Sequence, residues 1–199
     1  MGNFLAATSL RDTPVSELVP EIESWFSDRF VVCAHADEGT QPSSMDHLKV
    51  FEPANGWTTV LWPMFFGERH VDLARHLSGR LHTAVTSVDI YHSETWQHVV
   101  YDDGELVDEY GTDPSYLASP QDDRRAVARR WRGNPEAVAR HLGGSAREVA
   151  RVYRRNRRRW TYDDWAFVQM WEGFGIVYPV GQVPVAATIV LPDRWDTLL

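Results

Sequence analysis

The sequence predicts an α+β protein built on a mostly antiparallel sheet, and three observations support this. Short runs rich in β-branched and aromatic residues follow one another between residues 82 and 110, with turn-forming residues between them, a pattern typical of an antiparallel meander. Apolar residues recur at helical spacing on both sides of that region. A last β-type run at 183–191 follows the helices, and we expect it to rejoin the sheet.

Size and composition bound the class of protein. The chain has 199 residues, of which 43% are hydrophobic and 24% charged, the usual mix for a globular protein with a sizeable core. Cys33 is the single cysteine, which excludes an internal disulfide and a thiolate metal cluster. It lies in an apolar run, so we expect a buried, inert thiol. No basic leader and no long apolar run occurs, which predicts a cytoplasmic protein without membrane contact.

Two helices and four strands are predicted before the meander. In order they are a strand at 3–9, a helix that Thr13 caps with Pro14 as its first residue, a strand at 30–36, strands at 47–52 and 57–62, and a helix at 68–80. Asn55-Gly56 tolerates positive φ at both positions, which predicts a tight hairpin turn between the fourth and fifth of these elements. We expect the two helices to cover one face of the sheet.

The meander itself consists of strands at 82–91, 95–102 and 105–110. Helices follow at 122–132, after Asn134, from Ser145 and after a cap at Thr161. This pattern divides the chain into an α+β sheet domain at 1–119, a basic helical block packed on it at 120–175, and a strand and tail at 176–199 that return to the sheet.

Charge is strongly polarised along the chain. Residues 120–160 hold 13 basic and four acidic side chains, a net charge of +9, whereas the rest holds seven basic and 24 acidic ones, a net charge of −17. Nineteen of the 20 basic residues are arginine, which indicates GC-rich coding, as in actinobacteria. The basic block either neutralises acidic groups of the same chain or of a partner, or it contacts phosphate.

The helix predicted from Ser145 concentrates this charge. Its arginines share one face at i, i+4, i+7 and i+11, and they are Arg147, Arg151, Arg154 and Arg158, with Arg155 beside them. Apolar residues occupy the opposite face, which makes the helix amphipathic. Ala139, Gly143 and Val149 have the spacing of a helix-turn-helix motif, in which the helix from Ser145 would be the recognition helix. Because that helix is nearly all arginine, phosphate contacts are favoured over base reading.

Enzyme-like residues are sparse. His92, Glu94 and His98 lie close together in the meander, and Glu94 and His98 would point to one face of a strand, as an acid–base pair would require. Their spacing fits no metal motif, so we expect neither a metal nor a cofactor. The nine tryptophans are spread along the chain, which indicates core anchors more than an aromatic-lined pocket.

Two stretches resemble an uncharacterised bacterial protein family of unknown activity. The first comprises residues 96–98, 101–108 and 113–116, and the second comprises 165–168 and 175–179. The resemblance implies that the meander and the last helix belong to one shared domain.

Three functions remain open from the sequence. The first is a non-enzymatic interaction or regulatory protein with a protein partner or a second copy of itself. The second is a nucleic-acid-binding protein that uses Arg147, Arg151, Arg154, Arg155 and Arg158. The third is an enzyme or small-ligand binder with a tryptophan-lined pocket near His98.

Overall fold

The fold is known from a computed structural model. It describes residues 4–29, 31–36, 45–67, 69–91, 95–113, 121, 123–156, 165–193 and 195–197, without the side chains of residues 155 and 156. Eight strands form one sheet in the order β2-β8-β3-β4-β1-β5-β6-β7, and every neighbouring pair is antiparallel. The α+β class is therefore confirmed.

The elements have the following bounds. The strands are β1 Leu5–Arg11, β2 Ala34–His35, β3 His47–Phe51, β4 Trp57–Leu61, β5 Ala84–Tyr91, β6 Thr95–Asp102, β7 Glu105–Gly111 and β8 Val185–Val190. The helices are α1 Val15–Ser27, α2 Arg69–Leu81, α3 Arg124–Arg130, α4 Pro135–Leu142, α5 Ala146–Asn156 and α6 Ala166–Glu172, with a 3-10 turn at Trp195–Thr197.

The local turn signals lead to the predicted pairings. Asn55 and Gly56 both have positive φ, at 52° and 80°, between the paired strands β3 and β4. Asp103 and Gly104 do the same between β6 and β7, so the meander β5-β6-β7 forms as expected. The last strand, β8, inserts between β2 and β3, which confirms that it rejoins the sheet.

Helices α1 and α2 cover one face of the sheet, as predicted. The first core, between these helices and the sheet, contains Leu18, Ile22, Phe26, Leu73 and Leu77, each fully buried. Side chains from β1, β3, β4, β5 and β6 complete it. Val127 of α3 and the adjacent Trp131 also pack into this first core, so α3 belongs to the same layer.

Helices α4, α5 and α6 cover the opposite face. The second core, beneath them, is aromatic and includes Trp96, Tyr110, Tyr153, Phe167 and Trp171. The central strands are thus buried on both sides: β5 and β6 each have seven buried residues out of eight. Helices α4, α5 and α6 therefore form a third layer, whereas α3, the first helix of the basic block, packs on the same face as α1 and α2.

Two local predictions are wrong. Helix α1 begins at Val15 with Pro14 before it and no side-chain cap, because the Thr13 hydroxyl donates to the Arg11 carbonyl instead. The strand expected at 30–36 contains only Ala34–His35, paired with β8 alone. At this sheet edge Val32 is 80% exposed and Cys33 is half-buried, and partial burial raises the pKa of its thiol to about 11.

Most tryptophans are core anchors. The buried ones are Trp25, Trp57, Trp62, Trp96, Trp131, Trp171 and Trp195. Trp165 is 47% exposed at the start of α6, which contradicts its expected role in the core. Trp160 and the predicted cap Thr161 lie outside the described residues.

Candidate functional site

Helix α5 presents the predicted arginine stripe to solvent. Arg147, Arg151 and Arg154 are exposed, and their i, i+4, i+7 spacing places them on one side of the helix. The opposite side packs into the second core through Val149, Val152 and Tyr153. We call the three exposed residues the arginine face. Arg155 lies in α5, but its side chain is not described, and Arg158 is outside the described residues.

Only part of the arginine face is neutralised by the chain itself. The Arg151 Nε and Nη2 atoms each lie 2.8 Å from the Glu148 Oε2 atom. Arg154 Nε donates to the Ala150 carbonyl at 3.1 Å. Neither Arg147 nor Arg154 forms an ion pair with a carboxylate in the described part of the chain. Two of the three charges therefore stand without a compensating anion there.

Two glycines lie in the short connection from α4 to α5. Gly143 and Gly144 both have positive φ, at 85° and 78°, and with Ser145 they form a three-residue turn. A Cβ on Gly144 would stand 2.6 Å from the Gly173 carbonyl oxygen, so glycine permits a close approach to the end of α6. Val149 is buried and Ala139 is half-buried.

A chain of buried hydrogen bonds fixes α5 to the sheet. Tyr153 Oη donates to Asp108 Oδ2 at 2.8 Å and lies 2.7 Å from His98 Nδ1. His98 Nε2 lies 2.7 Å from Thr86 Oγ1, which also accepts from Trp171 Nε1 at 3.3 Å. We call this series, from Trp171 through Thr86, His98 and Tyr153 to Asp108, the α5 anchor.

The direction of the α5 anchor follows from its two ends. An indole N–H can only donate, so Thr86 accepts from Trp171, and its own hydroxyl proton is left to donate to the unprotonated Nε2 of a neutral His98. The Tyr153 proton goes to Asp108, so the Tyr153 oxygen accepts from His98 Nδ1. This assigns His98 as neutral imidazole protonated on Nδ1. The other Asp108 oxygen, Oδ1, accepts from the Asn134 backbone N–H at 2.5 Å, which ties the start of α4 to the same group.

Burial dominates the acid–base properties of the α5 anchor. Complete burial lowers the pKa of His98 to about 3, since the charged form would lose its hydration. Burial also raises the pKa of Asp108, while hydrogen bonds from Tyr153 and the Asn134 amide act in the opposite direction. The ring of Tyr153 stacks on Tyr110 with centroids 3.8 Å apart, so the polar contacts lie inside an aromatic core.

Of the three acid–base candidates, the structure describes His98 alone. His98 is fully buried and both ring nitrogens are hydrogen-bonded, so it holds no proton or lone pair toward solvent. His92 and Glu94 lie outside the described residues. Sequence reasoning did not find Tyr153, Asp108 or Thr86, and the one available signal was a tyrosine on the apolar side of α5.

A second buried polar chain lies on the opposite face of the sheet. Trp62 Nε1 donates to Thr8 Oγ1 at 2.7 Å, and Thr8 and Ser87 hydroxyls lie 2.7 Å apart. Ser87 Oγ lies 2.9 Å from His70 Nδ1. Burial lowers the pKa of His70 to about 4, so this imidazole too is neutral at pH 7.

An open cleft of about 620 Å³ lies between α1, α2 and the turn at Gly104. Two of its cationic side chains already contact other groups of the protein. Arg29 stacks over the Trp25 ring at 3.8 Å, and Arg80 donates a hydrogen bond to Glu21. Asp72, Asp103 and Glu105 line the same cleft. Its charges are therefore mixed, in contrast to the arginine face.

Helix α3 carries a further set of exposed arginines, Arg124, Arg125, Arg129 and Arg130. Arg130 bonds to Glu109 with Nε 2.8 Å from Oε1. Because Arg124 and Arg125 are adjacent, they point about 100° apart around the helix. Helix α3 lies in the layer of the first core, whereas α5 lies in that of the second.

Searches for related proteins identify no relative. The chain matches no protein family, no curated protein and no solved structure. Among the described residues, no group of three histidine, cysteine or carboxylate side chains could hold a metal ion. No described helix has both the length and the apolar character needed to cross a bilayer.

Proposed function

We propose that this chain is a non-enzymatic interaction protein that binds a polyanionic macromolecule through the arginine face of α5. The observation that carries the proposal is the exposure of Arg147, Arg151 and Arg154 on one side of the helix, with no carboxylate paired to Arg147 or Arg154 among the described residues. Exposed guanidinium groups in one row suit a partner with closely spaced negative charges.

The anchored back of α5 supports this function. A binding face contributes more affinity when it is already ordered, because less conformational entropy is lost on association. Tyr153 is 4% exposed and hydrogen-bonded to both His98 and Asp108. The arginine side chains are therefore presented from a helix whose position is fixed by the core.

The net charge of −8 does not prevent such binding. At physiological ionic strength the Debye length is about 8 Å, so exposed charges farther away are largely screened. A polyanion on α5 responds mainly to the nearby arginines and to Glu148. The distribution of charge, more than its total, sets the interaction.

Retention on a heparin column tests the proposal. A chain with a net charge of −8 and evenly spread charges should flow through at pH 7, whereas the arginine face predicts retention and elution by salt. The variant Arg147→Gln/Arg151→Gln/Arg154→Gln should elute at clearly lower salt. Its matched control, Arg124→Gln/Arg125→Gln/Arg129→Gln, removes the same charge from α3 and should elute close to the native chain.

Both triple variants must show native circular dichroism. Glutamine has nearly the helix propensity of arginine, and loss of the exposed Arg151–Glu148 pair costs only about 0.5 kcal/mol. Flow-through of the native chain would contradict the proposal. An equal loss of retention in the two variants would also contradict it, because binding would then follow total charge and not α5.

A further inference from the structure

The polyanion suited to the arginine face is a nucleic-acid duplex, and we infer that α5 binds duplex phosphates with little preference for sequence. This inference rests on the proposed function and names its partner. Three features support it: the linear spacing of the arginines, the packing of α4 and α5 as two helices joined by a three-residue turn, and the chemistry of the exposed side chains.

The arginines stand a few ångströms apart, as the charges of a phosphate backbone also do. With a rise of 1.5 Å per residue, Arg147, Arg151 and Arg154 stand about 6 and 4.5 Å apart along α5. Each strand of a duplex places one phosphate per about 3.4 Å of helix axis. Folded protein surfaces mix charges of both signs, so an acidic protein would need a specially arranged patch. A nucleic-acid duplex carries closely spaced negative charges along its whole length.

The α4–turn–α5 unit places the arginine face on its outer side. Helix α4 packs into the second core through Val138 and Leu142, and α5 through Val149 and Val152, which leaves the other side of α5 uncovered by described residues. An 11-residue helix is about 16 Å long, and the major groove of B-DNA is wide enough to admit a helix. The second helix of such a unit is the one that contacts DNA.

The exposed side chains of α5 favour phosphates over base edges. Base reading uses asparagine, glutamine, serine and threonine as well as arginine. Among the side chains of α5 that the structure describes, the exposed ones are Arg147, Glu148, Arg151 and Arg154. Glu148 forms an ion pair with Arg151, and without that pair its carboxylate would repel a phosphate. The face therefore gives affinity and orientation with little sequence discrimination.

A quantitative test is fluorescence anisotropy with the full chain and a labelled 20-base-pair DNA duplex. If three arginines each displace counterions, the logarithm of the binding constant should fall with the logarithm of salt concentration with a slope of about −2.7. This corresponds to a loss of about 40-fold between 50 and 200 mM salt. A duplex of unrelated sequence should bind within about threefold, since phosphate contacts carry no sequence information.

The two triple variants define where binding occurs. The α5 variant Arg147→Gln/Arg151→Gln/Arg154→Gln should reduce the magnitude of the salt slope by about 2.7, to near zero. The α3 variant Arg124→Gln/Arg125→Gln/Arg129→Gln should leave the slope near the native value. An RNA duplex of the same sequence distinguishes insertion of α5 into the major groove from contact with the phosphates outside the groove. Its deep, narrow major groove cannot admit α5, so equal binding would indicate phosphates reached from outside the groove.

The outcomes separate this inference from the proposed function. Duplex binding that depends on salt and on α5 supports the inference. Retention on heparin without duplex binding overturns this inference and leaves the proposed function standing. Failure on both probes overturns both. Duplex binding that the α3 variant weakens as much as the α5 variant overturns the assignment to α5, and strong preference for one sequence overturns the phosphate mode.

Discussion

Replacing Tyr153 by phenylalanine should lower the free energy of unfolding by about 3 kcal/mol. The hydroxyl makes two buried contacts, at 2.8 Å to Asp108 and 2.7 Å to His98. Its removal leaves one carboxylate oxygen and one imidazole N–H without that partner, and each buried orphan costs about 1–3 kcal/mol. The phenyl ring keeps its stacking on Tyr110, so the apolar contribution is retained.

Urea unfolding measures this loss directly. The midpoint should fall while the slope m stays constant, because the surface exposed on unfolding is unchanged. Tyr178→Phe is the matched control, since Tyr178 is half-buried and its hydroxyl has no hydrogen-bond partner among the described residues. That change should alter stability by no more than about 0.5 kcal/mol.

A small effect would refute the reasoning. If Tyr153→Phe costs less than about 1 kcal/mol, or no more than Tyr178→Phe, the α5 anchor does not hold the helix.

Two further predictions concern the buried histidines and a close glycine. Burial lowers the pKa of His70 to about 4 and that of His98 to about 3, below the value of about 6.5 in the unfolded chain. Below pH 6.5 the unfolded state therefore binds more protons than the folded state. Because of these two groups, the free energy of unfolding should fall by up to about 2.7 kcal/mol per pH unit between pH 6 and 4. Their ring proton resonances should not shift between pH 8 and 5.5, and titration near pH 6.5 would contradict the assignment. Gly133→Ala should destabilise by about 2–4 kcal/mol in urea unfolding, because φ is +76° and a Cβ would lie 2.5 Å from Tyr153 Cε2, which adds overpacking to backbone strain. Gly181→Ala has a similar φ of +73° with nothing within 4 Å and should lose only about 1 kcal/mol, so equal losses would refute the steric argument.

Local patterns were sufficient for most of the elements. The turn at Asp103-Gly104, the hairpin at Asn55-Gly56 and the amphipathic stripe of α5 all depend on neighbours in sequence, and the structure contains each of them. Turn dipeptides fix backbone conformation over a few residues, and helical spacing fixes which side chains share a face. Such features do not require knowledge of the tertiary fold.

Predictions failed at three places where the structure departs from the local sequence pattern. The run around Cys33 has strand-like composition, yet β2 is limited to Ala34–His35 because only β8 pairs with it. Thr13 was expected to cap α1, but its hydroxyl bonds to the Arg11 carbonyl. Trp165 has the apolar character of a core residue and nevertheless lies at an exposed helix start. In each case hydrogen bonding or packing overrode the local preference.

The sequence alone determined the α+β class, the meander, the basic helical block and the row formed by Arg147, Arg151 and Arg154, because these depend on spacing within short segments. Only the tertiary structure placed α4, α5 and α6 on the second face of the sheet and linked Tyr153 to His98 and Asp108, 55 and 45 residues away. No periodicity specifies which side chains meet across layers, since that choice depends on strand order and helix docking. The same docking decides that the apolar side of α5 is buried and its arginine face is open to a partner.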